Sequence, residues 1–303
     1  MMGEKSVFII PRNNGSIIAR MNDGGISEIA NLDVPYHSKS VVTENGLIVS
    51  LCFGMKPKSR RLRIFDPTGK QLLRKTEYKY ASIACKNNVV YLGGRYGSKN
   101  HEMFAFIDLE AIDFTVKEVD LPIQATEGKS IDDILINGNR LILVDNIVYP
   151  KYLFEYDITI PNKPVHKETK KLPNNGTYEH IYKGDINDNW MALFSSSVGM
   201  GGAFQHISIF GKQDATVSFC VNDMDLRSPP VEEGIIDICL WGDYLLLLKK
   251  SEIAYIDLTK EITNENIKHF AENQRNWDKL LKIEDNCLLL NENEYELLRR
   301  KMI

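Results

Sequence analysis

One phrase recurs along this chain. It reads "RLRIFD" ending at Asp66, "MFAFID" at Asp108, "YLFEYD" at Asp157 and "EIAYID" at Asp257, while "HISIFG" puts Gly211 in the place of the carboxylate. The endpoints fall about 42 to 54 residues apart, a spacing that marks a tandem array of supersecondary units rather than one irregular domain. Each copy is an apolar, β-branched or aromatic run closed by a residue suited to a turn. Glycine can replace an aspartate that turns the chain; it cannot replace one that reacts. The repeat therefore assigns Asp66, Asp108, Asp157 and Asp257 to architecture.

Each phrase has an upstream partner that starts after Asn, Asp or Gly: "NGLIVSLCF", "NNVVYLGGR", "NRLILVDN", "NWMALFSSS" and "DYLLLLKK". A further short strand with a turn at its end precedes each of these, as in "YASIACKN" and "IIDICLWGD". A fourth follows the carboxylate, most clearly in "DPTGKQLLRKTEY". Four strands joined by tight turns form an antiparallel sheet, and a tandem array of such sheets builds a propeller. The ends supply partial units. "SVFIIPR", "SIIARM" and "ISEIANL" read as second to fourth strands, and "DKLLKIED", "CLLLN" and "YELLRRKM" as first to third. The expectation is an all-β propeller of four-stranded blades occupying residues 1–303 as a single domain, with seven blades closed by pairing the terminal strands. Six blades, with the two ends merged into one larger sheet, is the alternative. Residues 263–281 carry apolar positions compatible with a helix, but the repeat calls for a strand at 267–271.

The phrase "YDITIPNKPV" at 156–165 is similar to the segment after the third strand in LVIVD-repeat propellers. The four Asp positions resemble the Asp of the WD dipeptide, with Phe65, Ile107, Tyr156 and Ile256 where that family has Trp. The resemblance implies a propeller fold and a tendency to act as a platform for other proteins.

Composition narrows the function classes. A formal net charge of −4 argues against general affinity for nucleic acid or an anionic membrane surface. The densest basic stretch, "KPKSRRLR" at 56–63, reads as a solvated loop entering a strand. No secretory leader is legible at the start, and no apolar run approaches a membrane span. Cys52, Cys85, Cys220, Cys239 and Cys287 sit in or beside strand-like runs without paired spacing, as expected of reduced thiols in a cytoplasmic protein. The sequons at Asn14 and Asn175 read as Asn-Gly turns.

No phosphate loop or zinc spacing is present, and no cofactor is implied. "GGRYGSKN" at 93–100 lies between strands, and "SSSVGMGGAFQH" at 195–206 reads as a flexible loop in which His206 is the base nearest to the serines. Two site readings remain. In one, loops between second and third strands present Arg95, Tyr96, Tyr149, Tyr152 and Phe204, with Phe53, Met55, Met200, Lys56, Lys58 and Arg60, to a protein partner; aromatic residues, Met and Arg are enriched at interface cores. In the other, Asp133, Asp237, His180 and Asp185, with Asp132 near the same level, converge on a central channel and bind Ca²⁺ or Mg²⁺, as in a metal-dependent hydrolase or small-ligand binder. Equivalent aspartates can instead tie neighbouring blades together through backbone hydrogen bonds. The first reading, a non-enzymatic scaffold, is the expected function.

Overall fold

The computed structural model describes the chain except for residues 1–6, 23–24, 53–60, 77–79, 95–102, 112, 123–129, 147–149, 173–178, 200–201, 212–215, 225–233, 284–285 and 300–303. The fold is an all-β propeller of seven antiparallel sheets, of which, among the described residues, five have four strands and two have three. The first and last sheets are separate, so the count is seven blades rather than six. The chain forms two compact units, residues 1–172 and 173–303.

The first unit holds four blades. Blade 1 has β1 (Val7–Ile10), β2 (Ser16–Asn22) and β3 (Gly25–Leu32). Blade 2 has β4 (Lys39–Val42), β5 (Ile48–Cys52), β6 (Arg61–Phe65) and β7 (Gln71–Thr76). Blade 3 has β8 (Tyr80–Lys86), β9 (Val89–Gly94), β10 (Phe104–Asp108) and β11 (Val116–Glu118). Blade 4 has β12 (Ser130–Asn137), β13 (Arg140–Asn146), β14 (Tyr152–Asp157) and β15 (Val165–Lys171). Second strands are buried along nearly their whole length: β9 is buried throughout, and β13 is exposed only at Arg140. That is why they read as unbroken apolar runs rather than alternating ones. The core lies between successive blades. Val49, Leu62 and Ile64 of blade 2 meet Tyr80, Val90 and Ile107 of blade 3, whose other face sends Tyr91, Phe104 and Phe106 against Ile134, Leu143 and Phe154 of blade 4. Each fully buried side chain of this kind contributes about 2 kcal/mol.

The second unit holds three blades. Blade 5 has β16 (His180–Ile186), β17 (Trp190–Gly199), β18 (Gly202–Gly211) and β19 (Thr216–Met224). Blade 6 has β20 (Ile235–Trp241), β21 (Tyr244–Lys249), β22 (Glu252–Asp257) and β23 (Lys268–Glu272). Blade 7 has β24 (Lys279–Ile283), β25 (Asn286–Leu290) and β26 (Tyr295–Arg299). The strand expected at 267–271 is β23. Its core repeats the plan of the first unit: Phe194, Ile207 and Ile209 pack on Ile238, Leu245 and Leu247, while Leu246, Leu248 and Ile253 pack on Leu280, Cys287 and Leu289.

The repeated aspartates turn the chain. Asp66 Oδ1 accepts the Thr68 N–H at 2.9 Å, the Thr68 hydroxyl at 2.6 Å and the Lys70 N–H at 3.0 Å. Asp157 and Asp257 hold the N–H and hydroxyl of Thr159 and Thr259 in the same way. Asp108 accepts the Glu110 N–H at 3.1 Å. The next residue then crosses back to the first turn of its own blade: the N–H groups of Leu109, Ile158 and Leu258 donate to the carbonyls of Asn88, Asn139 and Asp243.

Candidate functional site

The first strands carry the residues that the metal reading singles out. In four of them the pairing with the second strand slips by one residue, at Tyr80/Ser82, Ile131/Asp133, Ile181/Lys183 and Ile235/Asp237. Such a bulge re-aims the side chains around it. The residue just past the bulge is Ser82, Asp133, Lys183 or Asp237, so this one repeat position holds four side chains of three charge types.

Three of the four reach the next blade. Ser82 Oγ donates to the Ile131 carbonyl at 2.6 Å, joining blades 3 and 4. Lys183 Nζ lies 2.7 Å from Asp237 Oδ1, joining blades 5 and 6. Asp237 Oδ2 accepts the Leu280 N–H at 2.7 Å, joining blades 6 and 7, while its Oδ1 accepts the Ile238 N–H at 2.9 Å. Asp185, two residues past Lys183, repeats the pattern: Oδ1 takes the Ile186 N–H at 2.8 Å and Oδ2 the Leu240 N–H of blade 6 at 2.7 Å. Asp133 Oδ1 accepts the Ile134 N–H at 3.1 Å. Asp132 accepts from Ser130 and Asn146, and its carbonyl takes the Lys39 ammonium at 2.9 Å. These contacts assign the Asp185 and Asp237 carboxylates to joining blades, while those of Asp132 and Asp133 bond within blade 4. His180 stands edge-on to Tyr182, ring centroids 4.7 Å apart. Among the described residues, no group of three or more His, Cys, Asp or Glu is arranged to hold a metal ion.

Electrostatics agree with the geometry at Lys183. Burial alone would lower its pKa, but the Asp237 carboxylate more than reverses this and leaves the ammonium charged.

Of the partner-face residues, Arg95, Tyr96, Tyr149, Phe53, Met55, Met200, Lys56, Lys58 and Arg60 lie outside the described residues. Tyr152 opens β14 and Phe204 lies within β18, so both stand on strands rather than on loops. Tyr152 is half-buried, its ring 6.1 Å from Phe154; Phe204 is also half-buried, 6.5 Å from the His206 ring.

The segment read as a flexible loop at 195–206 is a long hairpin. β17 runs to Gly199 and β18 starts at Gly202, with Ser195 opposite His206 and Ser197 opposite Phe204. Cross-strand pairing satisfies the small polar residues that made the stretch look loop-like. It also gathers a group that sequence spacing missed. Ser197 Oγ lies 3.3 Å from His206 Nε2, and Ser195 Oγ donates to Glu179 Oε1 at 2.5 Å. Burial lowers the His206 pKa, against the pull of Glu179, so the imidazole is neutral near pH 7. Nucleophile, base and acid types are therefore present. Ser197 is only 2% exposed and Ser195 3%, however, and a nucleophile closed off from solvent cannot meet a substrate. The period-2 placement of Ser195 and Ser197 was the available signal for a strand.

No protein-family model and no curated protein matches this chain. Solved structures do. A chain of the Kuenenia stuttgartiensis hydrazine synthase aligns over 100% of this chain and 99% of its own length, at TM-score 0.65 and 11% identity. A 6-phosphogluconolactonase-like protein from Bacteroides fragilis covers 95% of this chain and 88% of its own, at TM-score 0.60 and 13% identity. The N-terminal domain of Nup159 covers 96% and 85%, at TM-score 0.56 and 10% identity. At such identities the likeness is one of fold. No helix among the described residues is long and apolar enough to cross a membrane.

Proposed function

We propose that the protein is a non-enzymatic interaction scaffold, which holds a protein partner on the face carrying Arg95, Tyr96, Tyr149, Tyr152 and Phe204. The observation that supports this reading is the use made of the first-strand carboxylates. Asp185 and Asp237 each give both oxygens to backbone N–H groups, and one of those bonds in each case joins two blades. Side chains spent on rigidity suit a platform better than a reaction centre. The fold leaves the choice open, since a hydrazine synthase, a lactonase-like protein and a Nup159 domain share it. Free thiols at Cys52, Cys85, Cys239 and Cys287 support a reducing compartment such as the cytoplasm.

The test is an affinity pull-down from the native cell extract, with the wild-type protein and a Tyr96→Ala/Tyr152→Ala variant. The expected result is a partner recovered by the first and lost by the second. The rival reading places Ca²⁺ or Mg²⁺ on Asp133, His180, Asp185 and Asp237, and either ion would then raise the melting temperature, because a ligand of the folded state stabilises it. A strong rise together with an empty pull-down overturns the scaffold.

A further inference from the structure

Blade 1 and blade 2 enclose a cleft of about 830 Å³. Its volume falls within the roughly 300–1,000 Å³ of ligand sites. Ile18 and Ile29 line it from blade 1, Val42 and Pro67 from blade 2. The slip in pairing between Ile18/Ala19 of β2 and Glu28/Ala30 of β3 leaves Ile29 as the bulged residue. Ile29 is 45% exposed, one of few large apolar side chains so placed among the described residues. A bulge that presents an isoleucine to solvent along a cleft is a means of aiming it.

Two charges line the same cleft from opposite walls, Arg20 on β2 and Glu44 in the first turn of blade 2. Both are exposed, and neither side chain forms an ion pair among the described residues. The blade 2 wall is held in place from behind. The Glu44 N–H donates to the Asn87 carbonyl at 3.0 Å, and the Asn45 N–H donates to Asn88 Oδ1 at 2.8 Å, both in the first turn of blade 3. A wall fixed before binding costs little entropy to use.

We propose that this cleft docks a short extended peptide of a partner protein, with an apolar anchor flanked by one acidic and one basic residue. The apolar strip takes the anchor. With one cation and one anion the walls sum to zero charge, so a simple anion or cation gains on one wall what it loses on the other. A peptide bearing both signs meets each with its opposite. The assignment rests on the scaffold reading, whose partner it describes chemically.

A random heptapeptide phage library tests it, selected on the full-length protein and scored on two variants, Ile29→Asp and Arg20→Glu. Both positions are exposed, and unchanged melting curves confirm that the variants fold. Enriched peptides should carry an apolar residue next to Asp or Glu and bind Ile29→Asp about tenfold more weakly or worse. Selection on Arg20→Glu should replace that acidic residue with Lys or Arg. No enrichment, or equal binding to Ile29→Asp, overturns the proposal. So does Ile29-dependent binding of 1-anilinonaphthalene-8-sulfonate without any peptide enrichment, which would make the cleft a small-molecule site. A pull-down partner lost on Tyr96→Ala/Tyr152→Ala but indifferent to Ile29→Asp sinks this docking site and leaves the scaffold standing. Enriched, charge-switchable peptides with an empty pull-down leave this docking site standing and count against the face carrying Tyr96 and Tyr152 instead.

Discussion

Lys183 and Asp237 face each other at 2.7 Å from the first strands of blades 5 and 6, and both go on to grip the same residue of blade 7. Asp237 Oδ2 accepts the Leu280 N–H at 2.7 Å, and Lys183 Nζ donates to the Leu280 carbonyl at 3.1 Å. One ion pair thus ties three consecutive blades. The aspartate side chain is 9% exposed and the lysine 32%, so the two ends of the pair are not equal. Removing Asp237 leaves a lysine, the Ile238 N–H and the Leu280 N–H all short of an acceptor. Asp237→Ala should therefore lose about 3–5 kcal/mol, the range for breaking a buried pair from one side. Lys183→Ala should cost less, because Asp237 keeps its two backbone donors. Urea unfolding of both variants checks the order, and a larger loss for Lys183→Ala would refute this account.

The turn aspartates predict acid sensitivity. Hydrogen bonds from Lys260 and Thr259 hold the Asp257 pKa down to about 2, and threonine bonds lower those of Asp66 and Asp157. A carboxyl whose folded pKa lies below its unfolded value of about 3.9 binds fewer protons when folded. Its contribution is then complete above pH about 4 and lost as the pH falls towards 2. The part of the urea midpoint that depends on Asp257 should stay level between pH 7 and 5 and drop below pH 4. Asp257→Asn should make that drop shallower. An unchanged slope in the variant would show that Asp257 is not among the groups responsible.

These turns are also the part of the fold most legible in sequence. Asp66, Asp157 and Asp257 each stand two residues before a threonine, and that local pattern fixes the turn without help from distant residues. The buried second strands were legible too, since unbroken runs such as "DYLLLLKK" have no other place in a four-stranded sheet. What happens between blades was not. Counting back from the turns aligned Asp133 with Asp237, and both do follow a bulge. Lys183 occupies the same position in blade 5, but its opposite charge hid it from a search for carboxylates. Its partners, Asp237 and Leu280, lie too far along the chain for spacing to reveal. Phe204 was misplaced for a related reason: the β17–β18 hairpin, with strands of ten residues each, carries it onto a strand.

Gly93 makes a prediction about how closely blades approach. A Cβ there would lie 2.1 Å from Ser82 Oγ and 2.5 Å from the Ile131 carbonyl oxygen, the two atoms that bond to join blades 3 and 4. Backbone cannot step aside as a flexible side chain can. Gly93→Ala should cost about 2 kcal/mol or more through overpacking. Gly138 has φ +57° with nothing within 4 Å of its would-be Cβ, so Gly138→Ala carries backbone strain alone, about 1 kcal/mol. Thermal melts of the pair should rank them in that order, and equal losses would mean that the blades part freely at Gly93.

The buried thiols allow a kinetic test of the interface between blades 6 and 7. Cys239 of β20 and Cys287 of β25 share one core cluster and are 1% and 0% exposed, with their thiols turned to the carbonyls of Leu240 and Leu288. The neighbouring Cys287 thiol and burial together raise the Cys239 pKa, and burial pushes Cys85 up to about 11. Disulfide exchange needs a thiolate that the reagent can reach, and neither condition is met in the folded state. In native protein at pH 8, 5,5′-dithiobis(2-nitrobenzoate) should therefore leave Cys239 and Cys287 unmodified over minutes. Added urea should bring both into reaction together, across the unfolding transition, because opening the interface exposes the two sulfurs at once. Modification of either thiol at full stoichiometry without denaturant would mean that blades 6 and 7 separate readily, contrary to the ties made by Asp237 and Lys183.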